Sequence, residues 1–589
     1  MINMKEHKTD ICANFVNSIE IIWKIEPKYI VITFISMIIN SLYPVTSLTI
    51  MQFILNMMQS GKTNYQSLIF YIIFYIALDL IQTILTAFFG YLISKYSLLI
   101  NLYVKKEVLK KAGSLTLKEY EDSETYNIIQ RAQSESEGKI TTYFNLVVSV
   151  FGTTITVVSY LALLLNFKAW LLFFVLMIPL IKYIILKKIN LKQFNILIAR
   201  TNEERRTWYY SYLITNGNYN KEMRLYKLYD YFLNKFDLNR KIFMNQDIQI
   251  LKESKQKIVA LGIIEQILDG LIFGYIIYNG VVGVILLGDV VTYTRAVMQT
   301  KSNIQTTLNN FAEIEKQSLY LDQLFLLLKK ETSVKNDGKE IDLIENIKVI
   351  DLSYRYNDNG RYVLKNINLE LKRGCTYAIL GKNGSGKTTL ANILMGFYDD
   401  YEGEIFINGL NLKTLDKESY RERLGALFQD FGKYEASIRE NIAYGNLDLL
   451  HADSYIMEIA REFDILSLIE RAPNNLETQL GYWFDEGKQI SIGQWQKVAL
   501  CRAFIKNADV YILDEPNAAL DAISEYYIAQ LYKKILYEKL GIIIAHKFGN
   551  FVQNIDRIFV LEDGEIVQQG SHTQLLSEGG IYKYLYELQ

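Results

Sequence analysis

Six apolar stretches, each able to cross a bilayer, dominate the first part of the chain, near 29–56, 67–96, 144–166, 170–186, 257–282 and 290–312. A transmembrane helix needs about 20 apolar residues. Any one stretch alone could be a buried helix of a soluble domain, but six in series with polar connectors exclude that reading of the set. The first and second exceed the need and are expected to continue beyond the membrane as helices. Glu265 and the run at 280–283 interrupt the fifth and sixth. After about 325 the pattern changes. Short continuous apolar runs at 377–380, 510–513 and 542–545 alternate with helical stretches such as 495–506. Strands buried on both faces of an α/β sheet read this way. The expected organisation is an α-helical transmembrane domain at 1–325, a linker at 326–345 and an α/β domain at 346–589.

Charge orients the helices. The segments at about 97–143 and 187–256 are long and rich in Lys and Arg. The connectors 57–66 and 167–169 carry only Lys62 and Lys168, and 283–289 carries no basic residue. Basic loops stay on the cytoplasmic side, so both long segments, both termini and the α/β domain are expected in the cytoplasm. No cleavable signal peptide is evident at the start. The formal net charge of −1 leaves no polybasic footprint for nucleic acid. The three cysteines, Cys12, Cys375 and Cys501, lie far apart. They offer neither metal-ligand spacing nor a disulfide framework, and the latter two read as packed thiols.

Residues 381–388 read Gly-Lys-Asn-Gly-Ser-Gly-Lys-Thr and follow an apolar strand. This is a complete phosphate-binding loop, G-x-x-x-x-G-K-[ST], between a predicted strand and a predicted helix. Gly381, Gly384 and Gly386, with Lys382, Asn383 and Ser385 between them, let successive amides turn toward one anion. The following helix adds its positive end. Lys387 can reach the β- and γ-phosphates, the Thr388 hydroxyl can ligate Mg²⁺, and Thr389 follows it into the helix. The second apolar run ends in Asp514 and Glu515. Asp514 suits a Mg²⁺ ligand and Glu515 the polarisation of an attacking water. ATP and Mg²⁺ are the expected ligands.

Between these motifs lies Ile490-Ser491-Ile492-Gly493-Gln494, opening a helical stretch. Here the chain resembles the ATPase domain of ABC transporters, whose signature is L-S-G-G-Q. Ser491, Gly493 and Gln494 match. Ile490 and Ile492 depart, and the bulk of Ile492 bears on how closely a γ-phosphate can approach. The resemblance implies further roles. Gln429 corresponds to the glutamine that touches Mg²⁺, Asp521 to the aspartate of the D-loop, and His546 to the histidine that contacts the γ-phosphate. Tyr356 sits where the family stacks an aromatic ring on adenine, with Tyr354 the alternative ring.

The two cytoplasmic segments are similar to the intracellular loops of six-helix ABC exporters, which dock on the ATPase domain through short coupling helices. Residues 121–127 and 216–222 are the expected coupling helices. One membrane half and one ATPase half make half a transporter, and the resemblance implies completion by a second copy of the chain. Residues 493–500 and 221–225 look like the peptidase-free exporters of lantibiotics and related modified peptides in Gram-positive bacteria. About 28 residues precede the first span, too few for a peptidase domain, so a leader on the cargo is expected to be removed elsewhere. A multidrug or lipid exporter of the same fold is the alternative, and a non-pumping channel or regulator is disfavoured by the presence of Glu515 and His546.

Asp79, Glu265 and Asp269 stand inside apolar stretches. An ionisable group at bilayer depth is costly and points to function. Glu265 and Asp269 are four apart and share a helix face, where they could hold a basic peptide or other amphipathic cargo. The competing expectation pairs one of them with Lys255, Lys257 or Arg295, or places it at the lipid interface.

Overall fold

The computed structural model describes residues 11–60, 65–122, 125, 128–129, 138–330, 338–356, 360–517, 522–545, 552 and 555–587. The chain forms two compact units, Met1–Gly113 with Glu124–Lys330, and Ser114–Ser123 with Glu331–Gln589.

The first unit is helical. It contains α1 (Ile11–Ile25), α2 (Pro27–Gln59) and α3 (Tyr65–Gly113), while α4 (Leu117–Glu121) belongs to the second unit. It continues with α5 (Lys139–Leu165), α6 (Trp170–Thr215), the short α7 (Asn220–Leu225), α8 (Leu228–Val281) and α9 (Leu287–Lys329). Helices α3, α6, α8 and α9 run for 49, 46, 54 and 43 residues. The basic segments at 97–143 and 187–256 are therefore largely helix extensions, not loops. Among the described residues, five helices are long and apolar enough to cross a membrane: α2, α3, α5, the first part of α6, and α8. The expected sixth span is a helix, α9, but it is too polar to qualify by composition. It carries Thr292, Thr294, Arg295, Gln299, Lys301 and Asn303 on its first half.

Packing explains that polarity. Helix α9 lies along α5 and also meets α2, α6 and α8, while α6 and α8 pair with each other. Leu48, Tyr160, Leu164, Leu171, Val175, Ile272, Ile276, Ala296 and Val297 join α2, α5, α6, α8 and α9 in one apolar cluster. At Gly152 the helices approach closely. A Cβ there would stand 2.8 Å from Met37 Cγ and from Ser41 Oγ.

The second unit holds two sheets. The antiparallel one runs β2 (Leu364–Lys372), β1 (Asn346–Tyr354), β4 (Glu402–Ile407), β5 (Leu410–Asn411). The other has the order β10-β9-β3-β8-β7-β6, with β3 (Thr376–Leu380), β6 (Leu424–Leu427), β7 (Val510–Asp514), β8 (Leu540–Ala545), β9 (Arg557–Glu562) and β10 (Glu565–Gly570). Only β10 pairs antiparallel in that sheet. Strands β7 and β8 are buried at every position, as their unbroken apolar runs require. One core cluster lies on each face of this sheet.

Two segments join this unit that the sequence placed elsewhere. Residues 338–345 are not a free linker: Ile341 and Ile344 are buried in the core, and Lys339 bridges to Leu415. Helix α4 also belongs here. Thr116 and Glu119 form a reciprocal capping box that starts it. Lys118 Nζ meets Asp400 Oδ2 at 2.5 Å, and the Tyr398 hydroxyl donates to Glu121 Oε1 at 2.8 Å. This helix ends at Glu121; of the expected coupling segment 121–127, positions 123, 124, 126 and 127 lie outside the described residues, and residue 125 is helical. The second, expected at 216–222, is a 3₁₀ turn at Gly217–Tyr219 followed by α7, in the first unit.

Candidate functional site

Parallel strands place their carboxyl ends along one edge, and the loops leaving that edge form the site. Strand β3 delivers the phosphate loop, β6 delivers Gln429, and β7 delivers Asp514 and Glu515. The loop leads into α10 (Lys387–Leu394). Gly384 and Gly386 have φ of 78° and 101°, backbone that glycine adopts without strain. A Cβ on Gly386 would also stand 2.7 Å from Leu364 Cδ2 and 2.9 Å from the Val363 carbonyl.

The polar groups converge. Lys387 is buried, and its ammonium donates to the carbonyls of Gly381 and Lys382 at 2.9 and 2.8 Å. Burial lowers its pKa, against the pull of Glu515 and Asp514. The Thr388 hydroxyl donates to Asp514 Oδ2 at 2.8 Å. Burial raises the Asp514 pKa, partly offset by that hydrogen bond. Ser385 is buried with its hydroxyl unpartnered among the described residues. A buried hydroxyl without a partner is costly, and a phosphate oxygen would satisfy it. The donor set fits a nucleotide phosphate, and the adjacent oxygens of Thr388 and Asp514 fit a hard divalent cation.

Glu515 is held in an unusual conformation, with φ of 49°. Its amide donates to the Ile544 carbonyl at 2.9 Å, and its carbonyl accepts from Gln496 Nε2 at 3.1 Å. Strained backbone of this kind persists where its surroundings fix it. The side chain accepts from Gln429 Nε2 at 3.1 Å. Tyr356 is partly exposed, and its hydroxyl lies 3.0 Å from Thr389 Oγ1. Tyr354 is buried in the core, whereas Tyr356 keeps part of its surface exposed.

The signature opens α11 (Ile492–Phe504). Ser491 and Gln494 form a capping box: the Gln494 amide donates to Ser491 Oγ at 3.3 Å and the Ser491 amide to Gln494 Oε1 at 3.0 Å. Gly493 is the second helical residue, and Ile492, the first, is 59% exposed. Among the described residues these groups make no hydrogen bond to the phosphate loop. Asp521 and His546 lie outside the described residues. Lys382 pairs with Glu562 at 3.0 Å, and Asn383 lies in the loop turn. Cys501 is fully buried, with its pKa raised by burial.

The membrane carboxylates are differently placed. Glu265 on α8 pairs with Lys182 on α6, and Asp269 on α8 pairs with Lys301 on α9. Asp79 accepts from the Tyr43 hydroxyl. The partners named from the sequence are not used: Lys257 pairs with Glu253 at 2.7 Å. Each of the two α8 carboxylates therefore has a lysine partner within the helical unit. Lys182 and Lys301 were legible as ionisable residues inside the fourth and sixth stretches. Gln496, a glutamine on the buried side of the signature helix, carried a weaker signal.

A phosphate loop, a Thr388–Asp514 pair, a positioned glutamate and a helical membrane unit define an ATP-hydrolysing membrane transport protein. The ABC transporter family model matches residues 364–518. Subtilin transport ATP-binding protein SpaT of Bacillus subtilis is 34% identical over 552 residues, 93% of this chain and 90% of that protein. Nisin transport ATP-binding protein NisT of Lactococcus lactis subsp. lactis is 33% identical over 578 residues, 97% of this chain and 95% of that protein. The chain belongs to the ABC transporter family. Its fold matches that of a bacterial Atm1-family ABC exporter with ATP bound, with a TM-score of 0.76 at 20% identity over 96% of this chain and 98% of that one.

Proposed function

We propose that two copies of this chain form an ATP-driven exporter of a peptide, a lantibiotic-like precursor, across the cytoplasmic membrane of a Gram-positive bacterium. One observation carries the reading. The relation to the proteins named for subtilin and nisin transport spans 93% and 97% of this chain. It therefore runs through the membrane unit, where cargo is met, as well as the ATPase unit.

In this reading the phosphate-loop amides, Lys387 and Ser385 hold the triphosphate, and Tyr356 stacks on the base. Thr388, Asp514 and Gln429 would hold Mg²⁺, which neutralises phosphate charge. Glu515 orients and polarises the attacking water, with Gln429 fixing its carboxylate. Ser491, Gly493 and Gln494 of a second copy complete each site, with Asp521 and His546 at its margin. A symmetric pair then has two equivalent sites. The peptide leaves intact, with any leader attached.

The test is the full-length protein in proteoliposomes, with ATPase activity and uptake followed in inverted orientation. A synthetic precursor peptide should stimulate ATP hydrolysis and accumulate, and Glu515→Gln should abolish both. Transport of a cationic dye or a lipid without any response to peptide would assign the chain to the drug or lipid exporters instead.

A further inference from the structure

Resting on the peptide-export reading and deepening it, we propose that a groove between α2, α5 and α9 receives peptide main chain through uncharged hydrogen-bonding groups. The groove has a volume of about 400 Å³ and is lined by Ser36 and Asn40 of α2, Ser149 and Thr153 of α5, and Gln299 and Asn303 of α9, among others. None of its lining side chains is ionisable. The polar positions recur at 145, 149, 153 and 156 on α5 and at 299, 303, 307 and 310 on α9. Steps of three and four put each set on one helix face.

Some of this polarity only joins helices. Thr153 Oγ1 and Thr307 Oγ1 are 2.7 Å apart, Asn310 Nδ2 donates to Ser149 Oγ at 3.1 Å, and Thr156 Oγ1 donates to the Ser41 carbonyl at 2.9 Å. Interhelical bonds of this kind are common glue within membranes. The remainder exceeds that need. The Gln299 side-chain amide is exposed and has no partner among the described residues. Asn303 donates to the Gln299 carbonyl at 2.8 Å, and its own Oδ1 has no partner among the described residues. Asn40 is held in place: its oxygen accepts from Gln82 Nε2 at 2.6 Å and Thr86 Oγ1 at 3.1 Å, and its nitrogen donates to Ser36 Oγ at 3.1 Å.

Amide donors and acceptors left without a protein partner in a groove are available to a bound segment. A peptide main chain presents donors and acceptors in alternation and matches such a lining whatever its side chains. The volume lies at the low end for ligand pockets, about 300–1,000 Å³, and so admits a short segment. Charge recognition is not built in here, because the nearby carboxylates on α8 already have lysine partners.

The experiment uses the full-length protein in nanodiscs and two synthetic uncharged peptides of one Ser/Ala/Leu sequence, one of them N-methylated along its backbone. The unmodified peptide should stimulate ATPase activity. The concentration for half-stimulation should rise about tenfold in Gln299→Leu/Asn303→Leu, as expected for the loss of one or two net hydrogen bonds. It should rise similarly for the N-methylated peptide on the unaltered protein. Thr307→Val, which removes only an interhelical bond, should leave it unchanged. Equal half-stimulation in the double variant, or equal action of the N-methylated peptide, overturns the groove proposal. So does loss of basal ATPase activity or of two-copy assembly in the double variant, which would mark the face as an interface. An unaltered protein that no peptide stimulates overturns the export reading itself.

Discussion

The ion pair between Asp269 and Lys301 offers a direct test of what the membrane charges do. The Lys301 side chain is 7% exposed and that of Asp269 29%. Asp269→Asn keeps the shape and one acceptor oxygen but leaves a buried ammonium without its counter-charge. At contact distance and an effective dielectric near 20, the attraction is about 4 kcal/mol. The carboxylate retains nearly a third of its exposure, so water screening removes roughly half of that. A net cost of about 2 kcal/mol remains, less than the 3–5 kcal/mol typical for breaking a fully buried pair. The double variant Asp269→Asn/Lys301→Met removes both charges and should recover most of the loss, because a neutral pair of similar volume is well tolerated in such a site. The assay is thermal unfolding in nanodiscs for the unaltered protein, both single variants and the double, read as a double-mutant cycle. Basal and peptide-stimulated ATPase activity are measured beside it. A single variant as stable as the unaltered protein, or a double variant less stable than either single, refutes the structural role. Unchanged unfolding together with lost peptide stimulation would instead return Asp269 to the cargo.

The remaining predictions concern the ATPase unit. Glu515→Gln should leave ATP binding intact while abolishing turnover, whereas Lys387→Ala should weaken binding at least tenfold; equal losses of nucleotide affinity by titration would contradict the separate roles. Ile492→Gly should preserve or raise the steady-state ATPase rate, because Ile492 is exposed at the first helical position and the Ser491–Gln494 capping box is untouched. Ser491→Ala should lower both the rate and the stability, the latter by about 1 kcal/mol for a lost cap. Asp514→Asn should abolish hydrolysis yet stabilise the nucleotide-free protein by about 1 kcal/mol, within the range of single relieved strains at functional sites. The sign follows from burial, which raises the Asp514 pKa above its unfolded value. Its contribution therefore favours folding at low pH and is lost as pH rises through the folded value, so at neutral pH the charged form opposes folding. A lower unfolding temperature for Asp514→Asn without nucleotide would be the contrary result.

The ATPase site was legible because its parts are local. A strand, a glycine loop and a helix follow one another within 376–394, and a second buried strand ends in its own carboxylates. Where the sequence left two rings equivalent, packing separates them. Tyr354 and Tyr356 are equivalent as letters, but the first closes β1 inside the core and the second lies beyond it near Thr389. The capping box Thr116–Glu119 was also readable as a helix start, yet it sits in a charged segment where no apolar period marks the short helix it opens. Residues 338–345 looked like a linker because their two apolar anchors, Ile341 and Ile344, are too few to show a period.

The membrane unit was harder for a different physical reason. A charge inside an apolar stretch announces its own cost but not what offsets it. The partner of Glu265 is 83 residues away and that of Asp269 is 32 away, and neither was among the candidates Lys255, Lys257 and Arg295. Helix α9 extends the same point to a whole element. Asp289 accepts from Gln52 and Asn56 at 2.6 and 2.9 Å, Lys301 meets Asp269, Thr307 meets Thr153 and Asn310 meets Ser149. Each of these four residues answers a group on another helix. A helix enclosed by neighbours needs few apolar residues, because its surroundings are protein rather than hydrocarbon. Hydropathy measures suitability for lipid, so it is weakest for the helix most deeply involved in the interior. Among the described residues, Gln299 and the Asn303 oxygen, unlike the unpartnered and buried Thr292, Thr294 and Gln317 oxygens of the same helix, line the groove, and they are where cargo contact should be sought first.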